Sequence, residues 1–279
     1  MSLRSVPRVS VMLATYRQPE VLAGTLEDLA RQDYPADSWE LIVVDDGSND
    51  KSSLTVLSGF SARVSLTIQR RISGGKYAHA SLFNELLRLA NPSSSVFIHV
   101  EDVRLKKNFI SRHARWHKGK KLFLVSGSMC EGPKINFNPA ADRRWPLMQM
   151  AGQGSEAFAC CFQAIFAKSM SYTRVLTDKL KVDGETDVFD SQMSGWGYHE
   201  VEFAYRATLV GATCVYDTGC AVYHPPHRYK NEIQRREINR EAAIREGQER
   251  NVSYLCKKHG LPRLPDWQVG KPIRCPGAR

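Results

Sequence analysis

Trp39 to Ser48 reads WELIVVDDGS, a short apolar run that ends abruptly in two acids, glycine and serine. A run of this length, rich in β-branched residues and bounded by turn residues, is typical of a strand buried in a parallel sheet. Residues 8–14, RVSVMLA, have the same character and lead into Thr15, Tyr16 and Arg17. Residues 96–100, VFIHV, form a third such run. The three runs predict a buried sheet with polar residues at the strand ends.

Helix-like segments alternate with these runs. The predicted helices cover residues 20–32, 50–60, 76–89, 200–209 and 231–258, and the further predicted strands cover 64–69, 121–126 and 214–223. Residues 157–166 are predicted as a strand followed by a turn or helix. Residues 128–155 and 171–190 lack apolar periodicity and are predicted as loops. Regular alternation favours an α/β fold with a mostly parallel central sheet and helices on both faces. We expect one domain over 1–228, followed by a C-terminal helical extension and an extended tail over 229–279.

The chain has 279 residues and a formal net charge of +10, and the positive charge is concentrated in two segments. Residues 103–121 carry eight Lys or Arg and no acid, residues 228–279 carry +7, and the remainder carries −5. These segments are either solvated basic faces or surfaces for phosphate groups, an anionic glycan acceptor or a membrane surface. Nucleic acid is not expected as a partner, because no nucleic-acid-binding motif is present. The pattern leaves the oligomeric state open.

Cysteine usage and hydropathy predict a cytoplasmic protein. The seven cysteines are scattered and show no CxxC spacing, which favours reduced thiols over disulfides or a zinc site. No apolar run approaches the ~20 residues of a membrane-spanning helix. Residues 1–8 run directly into the first strand and lack the apolar region of a signal peptide.

Three of the predicted strand ends carry side chains suited to a ligand. In open α/β sheets ligands bind beyond the carboxyl ends of the strands, where Thr15, Asp45-Asp46 and Glu101-Asp102 lie here. Carboxylates at such positions can accept a hydrogen bond from a nucleobase, contact ribose, or hold a divalent metal against a pyrophosphate. For Asp45 and Asp46 the alternative is a tight turn with helix capping, which Asp and Ser also favour.

A second cluster of unusual residues begins at Ser194. Gly195-Trp196-Gly197 is followed by Tyr198, His199, Glu200, Val201 and Glu202, in the order SGWGYHEVE. Glycines that admit a ligand, an aromatic platform and a carboxylate together indicate a loop that binds an acceptor and carries a base. The alternative is a glycine-rich turn whose Trp196 fills a gap in the core.

Together these segments resemble a known family. Residues 9–17, VSVMLATYR, and 41–50, LIVVDDGSND, resemble the opening of the family 2 glycosyltransferases of GT-A fold. Gly195 to Glu202 is similar to the Gly-Trp-Gly-x-Glu-Asp motif of β-1,4-galactosyltransferases and chondroitin-type enzymes. The resemblance covers residues 9 to about 231. It implies transfer of a sugar from a nucleotide-sugar donor to an acceptor hydroxyl with inversion, aided by Mn²⁺ or Mg²⁺.

The resemblance also implies roles for the strand-end residues. Asp46, with Asp45, would hold the nucleobase and ribose of the donor, which is a UDP-sugar in most of the family. The donor-binding residues implied in all are Thr15, Tyr16, Arg17, Asp45, Asp46, Lys76, Glu101 and Asp102. Lys76, or Arg71, would replace a basic contact that the family has near Phe83. The glycines before Lys76 lack P-loop spacing and are predicted to begin a helix.

The implied metal site departs from the family pattern. The family's Asp-x-Asp corresponds here to Val100-Glu101-Asp102, so the first acid is missing. Asp102 is then the expected metal ligand, together with His224 in the segment VYHPPH, or with His227 as the alternative. Imidazole and carboxylate suit Mn²⁺ well.

Glu200 aligns with the catalytic base of the resembled motif. A carboxylate at this position would take the proton of the acceptor hydroxyl as that hydroxyl attacks the anomeric carbon. Gly195, Trp196, Gly197 and His199 would contact acceptor or sugar, and His199 replaces an acid of the motif, so donor or acceptor choice should differ. Glu202 is the alternative base, although two residues along a helix it faces another way.

Two other functions remain open at this point. A non-catalytic glycan- or nucleotide-binding module would account for the missing acid, and a sugar nucleotidyltransferase would share the nucleotide-binding core. A nucleotidyltransferase needs a basic glycine-rich loop after the first strand, whereas residues 15–18 read TYRQ, which is not such a loop.

Overall fold

A computed structural model describes residues 6–16, 18–48, 56, 65–70, 79–142, 144–151, 155–181, 187–226, 240–265, 269–273 and 275. Within these ranges the strands are β1 (Val9–Thr15), β2 (Trp39–Asp45), β3 (Ser65–Arg70), β4 (Val96–Val100), β5 (Arg104–Leu105), β6 (Phe123–Cys130), β7 (Ala157–Cys160), β8 (Ser169–Thr173), β9 (Thr213–Tyr223) and β10 (Val269–Pro272). The α-helices are α1 (Pro19–Ala30), α2 (His79–Leu89), α3 (Phe109–Trp116), α4 (Trp145–Ala151), α5 (Arg174–Leu180), α6 (His199–Leu209) and α7 (Arg240–Lys258).

All the described strands join one ten-stranded sheet with the order β10-β7-β9-β6-β8-β4-β1-β2-β3, and β5 pairs with β9. Strands β3, β2, β1 and β4 are mutually parallel, and β6 is parallel to β9. Strands β8 and β7 run antiparallel to their neighbours. The predicted α/β class with a mostly parallel central sheet is therefore confirmed.

Helices cover both faces of this sheet because side chains alternate along each strand. Val9, Val11 and Leu13 of β1 pack with α1 and α3 on one face. Met12 packs on the other face with α2, α5 and α6. Strand β2 is buried over its whole length, as expected for a parallel strand covered on both sides. Because β1, β2 and β4 are parallel neighbours, their carboxyl ends lie at one edge of the sheet, where the candidate site lies.

Several local predictions were wrong. Residues 171–190, predicted as a loop, contain most of β8 and all of α5, because sheet pairing stabilises the short run SMSYT despite its polar residues. The predicted loop 128–155 contains the end of β6 and helix α4. The predicted extended tail contributes β10, which pairs with β7 at the edge of the sheet. The 50–60 helix lies outside the described residues except for Val56, which is helical.

The C-terminal segment packs against the first 228 residues. Its helix α7 contacts the segment before α6, and Leu255 packs with Met193 and Val201. The boundary predicted at residue 228 remains a prediction, but contacts of this kind tie the extension to the sheet domain. None of the helices in the described part of the chain has the length and apolar character needed to span a bilayer.

Candidate active site

The ends of β1 and β2 meet at the edge of the sheet. Thr15 is paired in register with Asp45, and the amide of Asp46 donates to the carbonyl of Thr15 at 2.9 Å. Asp45 is fully buried, and its Oδ1 accepts from the amide (3.0 Å) and hydroxyl (2.6 Å) of Ser48. Gly47 supports this turn with φ of 90°, a conformation that favours glycine. Asp45 thus builds the turn, and the less buried Asp46 lies closer to the surface of the site.

Glu101 and Asp102 follow β4 directly and share a lysine. The ammonium of Lys168 lies 2.9 Å from Oε2 of Glu101 and 2.5 Å from Oδ1 of Asp102. Burial by itself would raise the pKa of both acids, but Lys168, together with His79 beside Glu101 and His224 beside Asp102, outweighs it, and both pKa values fall below their usual range. Burial likewise opposes the charge on Lys168, and the two carboxylates reverse that effect and raise its pKa. All three groups are therefore ionised at neutral pH.

His224 lies beside Asp102, as the sequence predicted for a metal pair. It follows β9, and its Nε2 is 3.5 Å from Oδ2 of Asp102. Its other ring nitrogen, Nδ1, is 3.7 Å from Oε1 of Glu131. A carboxylate on the far side of an imidazole ligand is a common way to orient the ring toward a metal.

This donor set fits a divalent ion that arrives with a diphosphate. Metal–oxygen bonds of about 2.1 Å place neighbouring ligand atoms roughly 3 Å apart, close to the separation of the Asp102 and His224 atoms. Within the described ranges, no group of three or more His, Cys, Asp or Glu side chains is arranged to hold a metal. An ion held by Asp102 and His224 would need further oxygen ligands, which a substrate diphosphate can supply.

Glu200 lies in the first turn of α6. Its side chain is 16% exposed, so it is largely buried but still reachable from solvent. Burial raises the pKa of Glu200 to about 7, and the Glu101 carboxylate adds to the rise, against opposing effects of His79 and Lys168. A carboxylate whose pKa lies near neutral pH is well matched to proton abstraction.

A cluster of histidines that includes the buried His199 and His99 and the half-buried His79 lies next to Glu200. The rings of His79 and His199 stack with centroids 4.9 Å apart and an interplanar angle of 6°. Nε2 of His199 lies 3.2 Å from Oε2 of Glu200 without a hydrogen bond between them. Burial lowers the pKa of His199 to about 4 and that of His99 to about 3, so both rings are neutral at pH 7. The structure thus places His199 in the packed wall of the site.

The Gly-Trp-Gly segment forms the loop into α6. Gly195 and Gly197 have φ of 83° and 87°, and Tyr198 also adopts the left-handed conformation with φ of 68°. A non-glycine residue in this conformation is uncommon and costs free energy. Trp196 is half-buried, so its ring neither fills the core completely nor projects freely.

Helix α7 holds this loop in place. Asn251 is buried, and its side-chain amide donates to the carbonyl of Gly197 at 2.8 Å. Arg250 donates to the carbonyl of Ser194. A Cβ added at Gly247 would lie 2.7 Å from the Trp196 amide nitrogen, so only glycine allows this close approach.

Glu202, the alternative base, points elsewhere. Its fully buried carboxylate binds Arg206 at 2.8 Å, Lys258 at 2.8 Å and His259 at 3.1 Å. These partners hold the carboxylate between α6 and the end of α7. The position makes Glu202 a structural ion pair and favours Glu200 as the base.

The remaining predicted residues lie in different parts of the chain. Arg17, Lys76 and His227 lie outside the described residues, as does Arg71. Tyr16 is exposed at the end of β1. The basic segment 103–121 contains helix α3, and two of its arginines point inward: Arg104 pairs with Asp28 and Arg112 with Asp217. The basic surface is therefore smaller than the sequence count suggests, with Lys107, Lys118, Lys120 and Lys121 exposed.

Sequence reasoning missed Lys168, Glu131, His79 and Asn251. Lys168 precedes β8, and the antiparallel pairing of Val100 with Ser169 brings it to Glu101. Asn251 is likewise brought to the site by a long-range contact, because it is 54 residues from the Gly197 carbonyl to which it donates. Only the strand and helix pairings could have identified these residues, because none of them belongs to a local motif.

Comparisons with known proteins show what the sequence and the fold resemble. The family described as Glycosyl transferase family 2 matches residues 10–91. A hyaluronan synthase of Pasteurella multocida is 24% identical over 262 residues, which cover 81% of this chain and 25% of that protein. The chain therefore spans about a quarter of the length of this relative.

Two solved structures are similar in fold. The mannosyltransferase PcManGT from Pyrobaculum calidifontis, in complex with GDP-Man and Mn²⁺, has a TM-score of 0.60 at 18% identity, covering 88% of this chain and 64% of that one. Residues 1–349 of S. aureus TarS in complex with UDP-GlcNAc have a TM-score of 0.59 at 15% identity, covering 80% of this chain and 60% of that one. The family model and the curated relative confirm the resemblance of residues 9–50 to family 2 glycosyltransferases, and the solved structures show a shared fold. The likeness of Gly195–Glu202 to the galactosyltransferase motif remains a prediction.

Proposed function

We propose that this chain is a family 2 glycosyltransferase that transfers a sugar, with inversion, from a nucleotide-sugar donor to an acceptor hydroxyl. One observation carries the proposal most directly. Glu200 is a largely buried carboxylate with its pKa raised to about 7, and it lies close enough to Glu101 and Lys168 for their charges to shift that pKa. This observation supports a base beside the residues expected to hold the donor.

The donor side would be formed by the ends of β1, β2 and β4. Asp46 and Thr15 would contact the nucleoside, and Asp45 supports this proposal by fixing the turn beside them. Tyr16 is exposed next to them, and Arg17 and Lys76 remain candidates for the donor. Asp102 and His224 would hold Mn²⁺ or Mg²⁺ through Oδ2 and Nε2. When bound, such an ion neutralises the negative charge that develops on the leaving nucleoside diphosphate.

On the acceptor side, the attacking hydroxyl would donate its proton to Glu200. The carboxylate is ionised above about pH 7, and its partial exposure admits the hydroxyl. Attack from the face opposite the leaving diphosphate forms the new glycosidic bond as the old one breaks, which inverts the anomeric centre. Trp196 and the glycines beside it would form a wall for sugar rings, and His199 would shape that wall from behind.

A UDP-sugar is the favoured donor. The TarS structure was solved with UDP-GlcNAc, whereas the mannosyltransferase structure holds GDP-Man. The Asp-Asp-Gly-Ser turn of this chain resembles family members that bind UDP-sugars. The acceptor class is a glycan or other hydroxyl compound. The exposed lysines of segment 103–121 favour an anionic acceptor or a nearby anionic surface.

The experiment is a release assay. UDP-glucose, UDP-GlcNAc, UDP-galactose, UDP-glucuronic acid and GDP-mannose are each incubated with the protein and a panel of oligosaccharides, with and without Mn²⁺. We expect nucleoside diphosphate release from a UDP-sugar that depends on Mn²⁺ and increases with one acceptor. Absence of release together with absence of nucleotide binding would contradict the proposal. Binding without release would instead favour the non-catalytic module.

A further inference from the structure

Lys168 occupies the centre of the donor acids. Its ammonium contacts Glu101 at 2.9 Å and Asp102 at 2.5 Å, and its side chain is 20% exposed. Its backbone position is determined by the sheet, since the next residue, Ser169, pairs with Val100 at the end of β4. The contact therefore follows from the fold and does not depend on a chance side-chain orientation at the surface.

The ammonium and a divalent ion would share one carboxylate. Oδ1 of Asp102 accepts from Lys168, while Oδ2 faces Nε2 of His224. An ion bound between Asp102 and His224 would lie close to the ammonium, and two cations in a partly buried site repel each other strongly. The missing first acid, replaced by Val100, leaves fewer negative charges to offset this repulsion.

We propose that Lys168 competes with the divalent ion for Asp102 in the nucleotide-free site, so that metal binds tightly only together with a nucleoside diphosphate. The diphosphate carries negative oxygens that give the lysine side chain another partner, and its flexible stem allows the move. Metal and nucleotide then strengthen each other's binding reciprocally. This inference rests on the proposed function, because it assumes that Asp102 and His224 hold the ion.

The test measures binding of Mn²⁺ by electron paramagnetic resonance, with no acceptor and no turnover. Mn²⁺ is titrated into wild type, Lys168→Met and Lys168→Arg, first alone and then with saturating UDP. Lys181→Met is the matched control, because Lys181 pairs with Asp178 on an exposed surface. We expect Lys168→Met to bind Mn²⁺ about tenfold more tightly than wild type without UDP and less than threefold more tightly with UDP. Lys168→Arg and Lys181→Met should match wild type.

Misfolding cannot produce the expected result, because an unfolded variant would lose Mn²⁺ binding and could not bind the ion more tightly. Equal tightening with and without UDP would show only a distant charge effect and would overturn the inference. So would unchanged binding in Lys168→Met, provided that wild type still gains Mn²⁺ affinity on adding UDP; the proposed function would then stand. If no variant binds Mn²⁺ even with UDP, the proposed metal site is wrong and the inference fails with it.

Discussion

The proposed donor side and the proposed acceptor side of the site are built in different ways. The donor side consists of residues at the ends of β1, β2 and β4, three neighbouring parallel strands. The acceptor side consists of the Gly-Trp-Gly loop and the start of α6, and it is held by α7 from the far end of the chain. Strand order positions the residues of the donor side, whereas the acceptor side depends on a long-range contact with α7. Changes on the two sides should therefore have separable effects.

The largest expected effect is on the acceptor side, at the base. Glu200→Gln should lower transfer about 10³-fold while leaving UDP affinity within twofold of wild type, because a positioned base contributes roughly 10²–10⁴-fold. Transfer is measured with the donor and acceptor pair found in the release assay, and UDP affinity by calorimetry. Glu202→Gln on the same helix is the control, and we expect it to lose stability but keep turnover per folded molecule. Normal transfer by Glu200→Gln would contradict the assignment of Glu200 as the base.

The same substitution should change how stability depends on pH. In the folded protein the pKa of Glu200 is about 7, above its ordinary value of 4.5, so folding favours the protonated acid. Wild type therefore loses stability as pH rises from about 4.5 to 7, and Gln, which does not ionise, removes this loss. The free energy of unfolding of Glu200→Gln minus that of wild type should rise by roughly 2–3 kcal/mol between about pH 5 and pH 8.

Urea unfolding of both proteins at the two pH values measures this difference directly. A difference that stays constant with pH would mean that Glu200 titrates as an ordinary surface acid. The argument that burial raises the pKa of Glu200 and so distinguishes the acceptor side from the donor side would then fail.

A smaller effect is expected from loosening the loop. Asn251→Leu removes the donor to the Gly197 carbonyl and should raise acceptor KM about tenfold, because a buried carbonyl left without its partner costs roughly 1–3 kcal/mol. UDP affinity should not change. Hydrogen exchange of a peptide spanning residues 194–198 should become faster. Glu249→Gln, an exposed change on α7, is the control. Equal loss of UDP affinity in Asn251→Leu would show that α7 supports both sides together.

The donor side was largely predictable from the sequence. Asp45 and Asp46 follow an unbroken apolar run, and parallel pairing brings them to Thr15 by register. Asp102 and His224 were expected as a pair and lie 3.5 Å apart, although their role as metal ligands remains a prediction. Local motifs suffice here because each residue follows directly from a strand that the sequence reveals.

The acceptor side was predictable only in part. The glycines and Glu200 were recognised from their motif, but neither the burial of His199 against His79 nor the ion pairs of Glu202 follows from spacing. The partner of Gly197 is 54 residues away, on a helix whose pattern shows no preferred target. Lys168, on the donor side, was missed for the same reason, since antiparallel pairing of β4 with β8 is a property of the whole sheet.

The most direct test of the two-sided account is calorimetric titration of UDP, in the presence of Mn²⁺, into wild type, Asp102→Asn and Glu200→Gln. The account predicts that Asp102→Asn loses at least about tenfold in affinity, since it removes a metal ligand, while Glu200→Gln binds within twofold of wild type. Unchanged affinity in Asp102→Asn, or equal losses in both variants, would contradict it.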